Sequence, residues 1–503
     1  MKRLLTIICV ALLVFCSCGC NTPQPKDSKT PQENQNNPQE QDSKDDPENP
    51  ENPENPENPE TPENPENPEN PENPENPENP ENPEDPEDPE DPEDPENPEP
   101  PITEKPSDAG ERVPLQASLS GVQPMTGIVL WTTSGAKTKS YVQLEFSYML
   151  YNQVCKEKDV YDWSVMDNLL EDVASRGHQA VVRFRYVYPG RSSNAVPEYI
   201  KQLDGYEGIT YNTEDGKAEY PDWRCEELQR FHKEFHRRFA ERYDRDPRLA
   251  FVETGFGHWA EYHVYGGKFI AGQTFPSKEF QADFMRGMAE WFHDTTWSIS
   301  IDAADSKYGP FQKEKDLLDL TFGNFDDSFM CEDWSGYNWS GWSFFGADRY
   351  KKAAAGGEFS YYSSYDQKHA LDKEGMHGRK FEDLVAKVHM TFIIGNDQPG
   401  KQTDARITEA AMSMGYRFEI RDFCVNPGQS ASVLIANVGV APIYRDAYVA
   451  VDDEVGSFNL RHLMPGESTW IQIPCQATES SRPSIWCEHL VPGQKIEYQA
   501  SVQ

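Results

Sequence analysis

A proline at every third position between about Asp45 and Pro100 constrains this chain more than any other feature. The segment repeats Glu-Asn-Pro and later Glu-Asp-Pro, and it holds 19 of the 40 prolines. Regular proline excludes a helix and removes backbone donors that a sheet needs, and the repeated carboxylates repel one another. We therefore predict a disordered, extended stalk within residues 18–110. Calcium or partner binding by the acidic run is the alternative.

The N-terminus has the pattern of an export signal. Two basic residues precede the apolar segment Leu4–Phe15, which is too short to span a bilayer, since spanning takes about 20 residues. Small residues alternating with cysteine follow, as in bacterial lipoprotein signals. We predict a signal peptide at residues 1–17 and a lipid on Cys18, with Cys20 as the alternative. The lipid would anchor the protein in the membrane, as an outer-membrane lipoprotein of the cell envelope, periplasmic or surface-exposed. An ordinary secretory peptide is the other interpretation.

The charge of the chain is very unevenly distributed. The formal net charge is −39, but residues 45–100 hold 24 acidic and no basic residues and residues 1–44 sum to +1, which leaves −16 for residues 101–503. A moderately acidic folded region argues against nucleic acid as a partner.

Cysteine spacing gives little evidence for a disulfide framework or a zinc site. Six cysteines lie beyond Cys20, and none is spaced as in CxxC or zinc motifs. Cys475 and Cys487 are the only close candidates for a disulfide. The others are expected to be buried thiols, and no cofactor is predicted.

Eight strand-like runs alternate with helical segments over about 270 residues. This pattern predicts an α/β fold, a (β/α)8 TIM-like barrel at residues 111–414. The runs are Gly127–Thr132, Tyr141–Tyr148, Ala180–Val187, Leu249–Thr254, Ser298–Asp302, Leu320–Phe325, Ala353–Phe359 and Val388–Gly395.

After about Gly415 the helical pattern stops. RFEIRDFCV, SASVLIANVG, DAYVAVDD, STWIQIPC and KIEYQASV are short alternating runs separated by proline and glycine turns. They predict a small antiparallel β-sandwich at residues 415–503.

Two glutamates follow the fourth and seventh predicted barrel strands. Glu261 stands in ETGFGHWAEYH and Glu358 in GGEFSYY. Active sites of barrel enzymes lie at the C-terminal ends of the strands, so these carboxylates should face each other. One can protonate a glycosidic oxygen while the other attacks the anomeric carbon, at a separation of roughly 5–6 Å. Glu253 is the competitor, but within the strand it is expected to point into the barrel.

Further polar and aromatic residues cluster at the same predicted face. Arg183, in the third strand, needs a carboxylate partner if it is buried, and it could orient a catalytic glutamate. His258 and His263 are possible metal ligands, but no third ligand is evident and no metal is predicted. The predicted substrate-binding residues are Arg183, Trp259, His263, Asp327, Trp334 and Asn396; Trp334 belongs to an aromatic-rich loop suited to stacking on sugar rings.

Several segments resemble the bacterial family called domain of unknown function number 4832, with its companion N-terminal barrel segment. They include YDWSVMDNLLEDVASRGHQAVVRF, ETGFGHWAEYH, FGNFDDSFM, GGEF, MGYRF and ANVGVAPIYRDAYV, in the expected order over most of residues 125–460. The resemblance implies a clan-A glycoside hydrolase-like barrel with a C-terminal sandwich. The family pattern Gly-x-Trp-Gly-Glu-Trp matches at Glu261 and departs at Ala260 and Tyr262. Clan-A enzymes place asparagine before the acid/base, where this chain has Ala260.

These features predict a lipid-anchored protein that cleaves a glycosidic bond of an oligo- or polysaccharide with retention. Glu261 would be the acid/base and Glu358 the nucleophile. The main alternative is a non-catalytic glycan-binding lipoprotein with a degenerate barrel. A polysaccharide lyase is a third possibility, disfavoured by the facing carboxylates.

Overall fold

The computed structural model of the protein describes residues 101–503. The predicted signal peptide, the lipidation candidates Cys18 and Cys20, and nearly all of the predicted stalk lie outside the described residues. Within residues 101–503, no helix is both long enough and apolar enough to cross a bilayer.

The strands and helices of the described region are numbered here in chain order. The strands are β1 (Glu111–Arg112), β2 (Leu115–Ala117), β3 (Gly127–Trp131), β4 (Leu144–Leu150), β5 (Cys155–Glu157), β6 (Val160–Tyr161), β7 (Gln179–Arg185), β8 (Ile209–Thr213), β9 (Gly216–Tyr220), β10 (Leu249–Thr254), β11 (Trp297–Ser300), β12 (Gly323–Phe329), β13 (Gly356–Phe359), β14 (Phe392–Ile394), β15 (Phe418–Asn426), β16 (Ser430–Asn437), β17 (Ala447–Val451), β18 (Glu454–Asn459), β19 (Ser468–Pro474), β20 (Pro483–Cys487) and β21 (Tyr498–Val502). The α-helices are α1 (Tyr151–Val154), α2 (Ser164–Ala174), α3 (Glu198–Lys201), α4 (Glu226–Tyr243), α5 (Lys278–Trp291), α6 (Tyr337–Phe345), α7 (Ser364–His369), α8 (Phe381–Val388) and α9 (Asp404–Ala411).

Eight parallel strands close into a barrel in the order β3-β4-β7-β10-β11-β12-β13-β14. This confirms the predicted (β/α)8 barrel, and each of the eight predicted runs overlaps one barrel strand. Successive side chains of a strand point to opposite faces of the sheet, and β7 illustrates this. Val182 and Phe184 pack outward, Phe184 against Phe235 of α4, whereas Val181 and Arg183 face the barrel interior.

The C-terminal region forms two packed sheets, as predicted. One sheet has the order β19-β16-β15-β21-β2, with β1 also paired to β15, and the other is β18-β17-β20. One pairing differs from the predicted antiparallel arrangement, because β15 and β21 run parallel, with Phe418 opposite Tyr498. The two strands are far apart in sequence, so no hairpin turn fixes their relative direction.

The sandwich begins earlier in the chain than predicted. Strands β1 and β2, within the predicted barrel region 111–414, pair with β15 and β21 of the sandwich. Part of the predicted stalk also contacts this domain: Ile102 accepts a hydrogen bond from the Trp470 amide (2.8 Å) and donates one to Thr469 Oγ1 (3.0 Å). Residues 101–117 therefore belong to the sandwich. Local periodicity could not predict this, because the strands they pair with lie about 300 residues or more further along the chain.

The sandwich packs against the N-terminal end of the barrel. Arg445 is buried and donates hydrogen bonds to the Leu249 carbonyl (2.8 Å) and to Thr295 Oγ1 (2.7 Å). Leu249 begins β10, and Thr295 precedes β11. The sandwich therefore covers the end of the barrel opposite the ends of the strands that carry Glu261 and Glu358.

The six cysteines of the described region are all unpaired thiols. Cys475 and Cys487, the predicted disulfide candidates, are separately buried. Burial raises the pKa of the Cys487 thiol to about 11, which disfavours the reactive thiolate at neutral pH.

Candidate active site at the mouth of the barrel

Glu261 reaches the barrel mouth through a tightly folded loop after β10. The Gly257 amide donates to the Glu261 carbonyl (2.7 Å), and the His258 amide donates to the His263 carbonyl (3.0 Å). A side chain on Gly257 would collide with the His263 carbonyl. Trp259 and Ala260 adopt left-handed conformations, with φ of 55° and 60°. Both residues thus have a backbone conformation that favours glycine.

The Arg183 side chain pairs with two glutamates, Glu253 within β10 and Glu261 in the loop that follows it. Its guanidinium is fully buried, with Nη2 2.7 Å from Glu253 Oε2 and Nη1 2.8 Å from Glu261 Oε1. The expected carboxylate partners of Arg183 are therefore present, and Glu253 points into the barrel as predicted. Because Arg183 is not exposed, it positions Glu261, and the prediction that it binds substrate directly is wrong.

His263 links Glu261 to two aspartates. Its Nδ1 lies 2.8 Å from Asp302 Oδ2, 3.3 Å from Asp327 Oδ2 and 3.5 Å from Glu261 Oε2. Burial opposes the charged imidazolium, but the hydrogen bonds to Asp302 and Asp327 outweigh it and raise the pKa of His263 well above 6.5. The ring is buried and stacks on Tyr265, with ring centres 4.4 Å apart. His263 is thus a cation that positions Glu261, and the prediction that it also contacts substrate stays a prediction.

Glu261 is placed to carry a proton. Burial and the negative charge of Asp327 raise the pKa of Glu261 well above 4.5, although His263 and Arg183 oppose the shift. The hydrogen bond and charge of His263 lower the pKa of Asp327 to about 2 despite its burial. The proton of this pair therefore resides on Glu261, in the state that a general acid needs.

Glu358 has different surroundings from Glu261. It lies in β13 and is partly exposed, and within residues 101–503 its carboxyl group makes no hydrogen bond or ion pair. Burial raises its pKa to about 8; Arg183 opposes the shift, while Glu253 and Asp327 add to it. Arg183 therefore acts on both predicted catalytic carboxyls. Their predicted separation of about 5–6 Å stays a prediction.

The same cluster brings potential metal ligands together. Single ligand atoms of Glu261, His263 and Asp327 lie within 4.8 Å of one another, which is close enough to hold a metal ion. The hydrogen bonds to Asp302 and Asp327 raise the pKa of His263 despite its burial, so a metal ion bound here would have to displace a proton from the ring. His258, the other candidate ligand, points elsewhere, with its Nε2 2.7 Å from the Tyr220 hydroxyl.

The tryptophan loop after β12 does not form the predicted sugar platform. Trp334 is only 1% exposed, and its indole N–H donates to Asp326 Oδ2 (2.8 Å). Trp342 and Asn338 donate to the same carboxylate. The buried Asp326 needs these donors, so the aromatic density organises a structural hydrogen-bond cluster, and the prediction that Trp334 binds substrate is wrong.

Exposed tyrosines take the place of those tryptophans at the mouth. Tyr265, Tyr337, Tyr361 and Tyr362 are between 43% and 74% exposed. Partial burial of its hydroxyl raises the pKa of Tyr362, and Asp327 and Asp302 add to the shift, which places the hydroxyl near the carboxylate cluster. The sequence analysis included Tyr337 in the aromatic-rich loop but missed the other three, although Tyr361 and Tyr362 follow the GGEF strand after a single serine.

Trp259 and Asn396 lie at the mouth, as predicted. Trp259 is partly exposed and packs edge-on against Tyr188, with ring centres 6.2 Å apart. Asn396 is partly exposed, and its Oδ1 accepts a hydrogen bond from the Trp131 amide (3.2 Å), which joins the end of β14 to β3. Asp327 is partly exposed beside Glu261. These three positions can contact a ligand in the mouth.

No known protein-family profile matches the chain, and no curated protein matches it. The resemblance to domain of unknown function number 4832 therefore stays a prediction. Among solved structures, the chain is similar to the catalytic domain of a β-amylase from Paenibacillus polymyxa, at 12% identity and a TM-score of 0.39, over 59% of this chain and 99% of that chain. It is also similar to an endo-1,4-β-xylanase from Caldicellulosiruptor owensensis (8%, TM-score 0.34, 54% and 84%) and to xylanase B from Clostridium stercorarium F9 (14%, TM-score 0.33, 54% and 85%).

Proposed function

We propose that the protein hydrolyses a glycosidic bond of an oligo- or polysaccharide with retention at the anomeric carbon. The contrast between the two mouth carboxyls carries the proposal. Glu261 is held by Arg183 and keeps a proton, whereas Glu358 has no partner within residues 101–503 and reaches solvent. One fixed acid and one unengaged carboxyl are the two groups that retaining hydrolysis requires.

The two residues would divide the reaction into two steps. In the first step, ionised Glu358 attacks the anomeric carbon while Glu261 gives its proton to the departing glycosidic oxygen. In the second step, Glu261 takes a proton from water, and the water oxygen displaces Glu358 from the sugar. Arg183, His263 and Asp327 keep the Glu261 carboxyl in one place through both proton transfers.

A glycan-binding protein without turnover is the second candidate. Burial raises the pKa of Glu358 to about 8, so the free protein carries a mostly protonated nucleophile at pH 7. Ala260 also stands where clan-A enzymes have asparagine before the acid/base. Both observations favour a mouth that binds sugars without cleaving them.

The deciding experiment incubates the purified full chain with a glycan panel at pH 7 and pH 8.5. Released reducing ends and the anomer first formed are followed by NMR. The proposal expects cleavage with the β or α configuration retained, and cleavage absent in Glu358→Gln. Binding of a glycan without any cleavage at either pH would leave the second candidate. Inverted product would reject Glu358 as nucleophile.

The place of action is proposed from the N-terminal sequence alone. The alternating small residues and cysteines after the apolar segment support lipidation at Cys18, with Cys20 as the alternative, and anchoring in the outer membrane. Palmitate labelling of Cys18→Ala and Cys20→Ala variants tests this directly. Loss of label in Cys18→Ala alone is expected; undiminished label in both variants would contradict the assigned cysteines, and absence of label from the wild type would contradict the anchor.

A further inference from the structure

Two arginines share the interior face of β7, and only one of them is neutralised. Arg183 and Arg185 are two residues apart on the strand, so both side chains project to the same side. Arg183 lies deep in the barrel between Glu253 and Glu261. Arg185 is the last residue of β7, about 7 Å further along the strand toward the mouth.

Arg185 is half-buried without an acidic partner. Within residues 101–503 no carboxylate lies within 4.0 Å of its guanidinium, and its buried Nε has no hydrogen-bond acceptor. Other buried arginines of this region have partners: Arg406 pairs with Glu382 (2.7 Å), and Arg349 and Arg445 donate to backbone carbonyls, although the Nε of Arg349 also lacks an acceptor. A desolvated, unpaired donor is costly, and the described region has an excess of acidic groups that could have paired with it.

Two aromatic rings fix the guanidinium of Arg185 in place. Its centre lies 4.5 Å from the Tyr188 ring and 5.5 Å from the Tyr148 ring. Burial lowers the pKa of Arg185, and the nearby Arg191 adds to this effect, while the two tyrosines oppose it. Arginine nonetheless stays charged. A guanidinium held on aromatic faces keeps its edge available for paired N–H donation to a planar or tetrahedral anion.

The rings around Arg185 also border the proposed cleavage point. The Tyr148 hydroxyl is 3.4 Å from Arg183 Nη1, and Tyr188 packs edge-on against Trp259. Burial raises the pKa of Tyr361, and the charges of Glu358 and Tyr188 add to the shift. Tyr361 therefore lies near Glu358 and near Tyr188. A group bound to Arg185 is therefore part of the sugar at, or next to, the cleaved bond.

We propose that Arg185 anchors a subsite for an anionic sugar, either a uronic acid carboxylate or a sulfate ester, with exposed Arg191 as a second cation. The proposal rests on the proposed function only in taking the ligand to be a glycan. Both anions match the paired donors of arginine, and the test below separates them.

The experiment measures binding, so it does not depend on turnover. Full chain carrying Glu358→Gln is applied to an array of neutral, uronic acid and sulfated oligosaccharides, and affinities are measured by calorimetry. Two chemical pairs separate the anions: oligogalacturonate with its methyl ester, and chondroitin sulfate with desulfated chondroitin. The protein variants are Arg185→Gln, Arg185→Lys and the control Arg245→Gln. Arg245 is 85% exposed, pairs with Asp294 on another surface and loses the same charge.

The proposal expects the array to show binding of anionic glycans. Arg185→Gln should weaken that binding at least about 10-fold, since it removes the charge-assisted hydrogen bonds to the anion. Arg185→Lys should recover part of the affinity, Arg245→Gln should match the parent, and no variant should lose melting temperature by more than about 2 °C. If the methyl ester binds as tightly as oligogalacturonate, the subsite does not recognise the uronic acid carboxylate. If desulfated chondroitin binds as tightly as chondroitin sulfate, the subsite does not recognise the sulfate ester.

Binding confined to neutral glycans, binding of no anionic glycan, or anionic binding unchanged in Arg185→Gln would overturn the proposal. These outcomes are distinct from failure of hydrolysis. Anionic binding without cleavage by the wild type keeps the subsite and rejects the enzyme, whereas cleavage of a neutral glycan together with no binding of any anionic glycan keeps the enzyme and rejects the subsite.

Discussion

Arg183 Nη1 lies 2.8 Å from Glu261 Oε1, while Nη2 of the same guanidinium lies 2.7 Å from Glu253 Oε2. One fully buried cation thus joins a carboxylate inside the barrel to the proposed acid at its mouth. The position of Glu261 is therefore set by the barrel interior rather than by its own loop alone. Loss of Arg183 would leave two buried carboxyls without their cation.

Arg183→Met is expected to destabilise the protein by about 3–5 kcal/mol, since breaking a buried ion pair leaves uncompensated charge. Chemical unfolding at pH 7 measures the change. Arg421→Met is the control, because Arg421 is 44% exposed and its pair with Glu419 should contribute less than about 1 kcal/mol. A loss in Arg183→Met as small as in the control would show that the buried pair contributes little.

The pH dependence of activity should rise toward alkaline pH. Glu358 must lose its proton to attack, and its pKa is raised to about 8. The ratio kcat/KM should therefore increase about tenfold per pH unit below pH 8 and level off above it, until Glu261 loses its proton. Initial rates between pH 5 and 10 test this. A maximum near pH 5 with decline toward pH 8 would contradict the ionisation assigned to Glu358.

Glu358→Gln should reduce turnover by more than about 1,000-fold while leaving glycan affinity nearly unchanged, because only the covalent step is lost. Azide should restore part of the activity of Glu358→Ala by filling the space of the missing carboxylate. Steady-state kinetics and calorimetry on the same preparations measure both effects. Retention of more than a tenth of the wild-type turnover in Glu358→Gln would assign the nucleophile elsewhere.

The same substitution should stabilise the fold in a defined pH window. Glu358 has an ordinary pKa of 4.5 and a folded-state pKa of about 8. Between these values the unfolded chain has released a proton that the folded protein still holds, so wild-type stability falls as pH rises from about 4.5 to 8. The melting temperature of Glu358→Gln relative to wild type should therefore increase across this window and stay constant above it. A difference independent of pH would refute the shift.

Removal of metal ions should leave activity and melting temperature unchanged. His263 keeps a proton between Asp302 and Asp327, in the space that a metal bound by Glu261, His263 and Asp327 would need. Zinc at millimolar concentration should inhibit, and more strongly at higher pH, because it must displace that proton. Dialysis against EDTA followed by an assay with and without zinc tests both points. Loss of activity on EDTA treatment, restored by one metal, would make the cluster a metal centre.

Trp334 and Tyr362 should respond to substitution in opposite ways. Trp334→Ala removes a buried indole and a donor to Asp326, with an expected loss of about 3–5 kcal/mol of stability. Tyr362 is 74% exposed, so Tyr362→Ala should leave the melting temperature nearly unchanged and weaken glycan binding about 5-fold. Thermal melts and calorimetry on both variants provide the comparison. Weakened binding with full stability in Trp334→Ala would restore the sugar platform to that loop.

Local sequence patterns were sufficient to predict the architecture of the barrel. Each of the eight predicted runs overlaps a barrel strand, because the alternation of apolar residues and the helical period are both set within a few residues. The candidate carboxyls followed from the same pattern, since the ends of parallel strands meet at one edge. The buried cation Arg183 and its need for a carboxylate were also predictable from one strand.

Contacts between distant segments were decided only by the tertiary structure. Arg112 pairs with Asp422 across 310 positions, and β1 and β2 join the sandwich instead of the barrel. Trp334 is buried because its indole N–H donates a hydrogen bond to the buried Asp326 carboxylate. Asp302 stabilises the charged His263 ring because the fold brings the two side chains within hydrogen-bonding distance. The sequence determined which segments form strands and where charge collects, because these depend on neighbouring residues. Which charges meet, and which arginine stays unpaired, depended on the closed barrel, because only closure brings those segments within hydrogen-bonding distance.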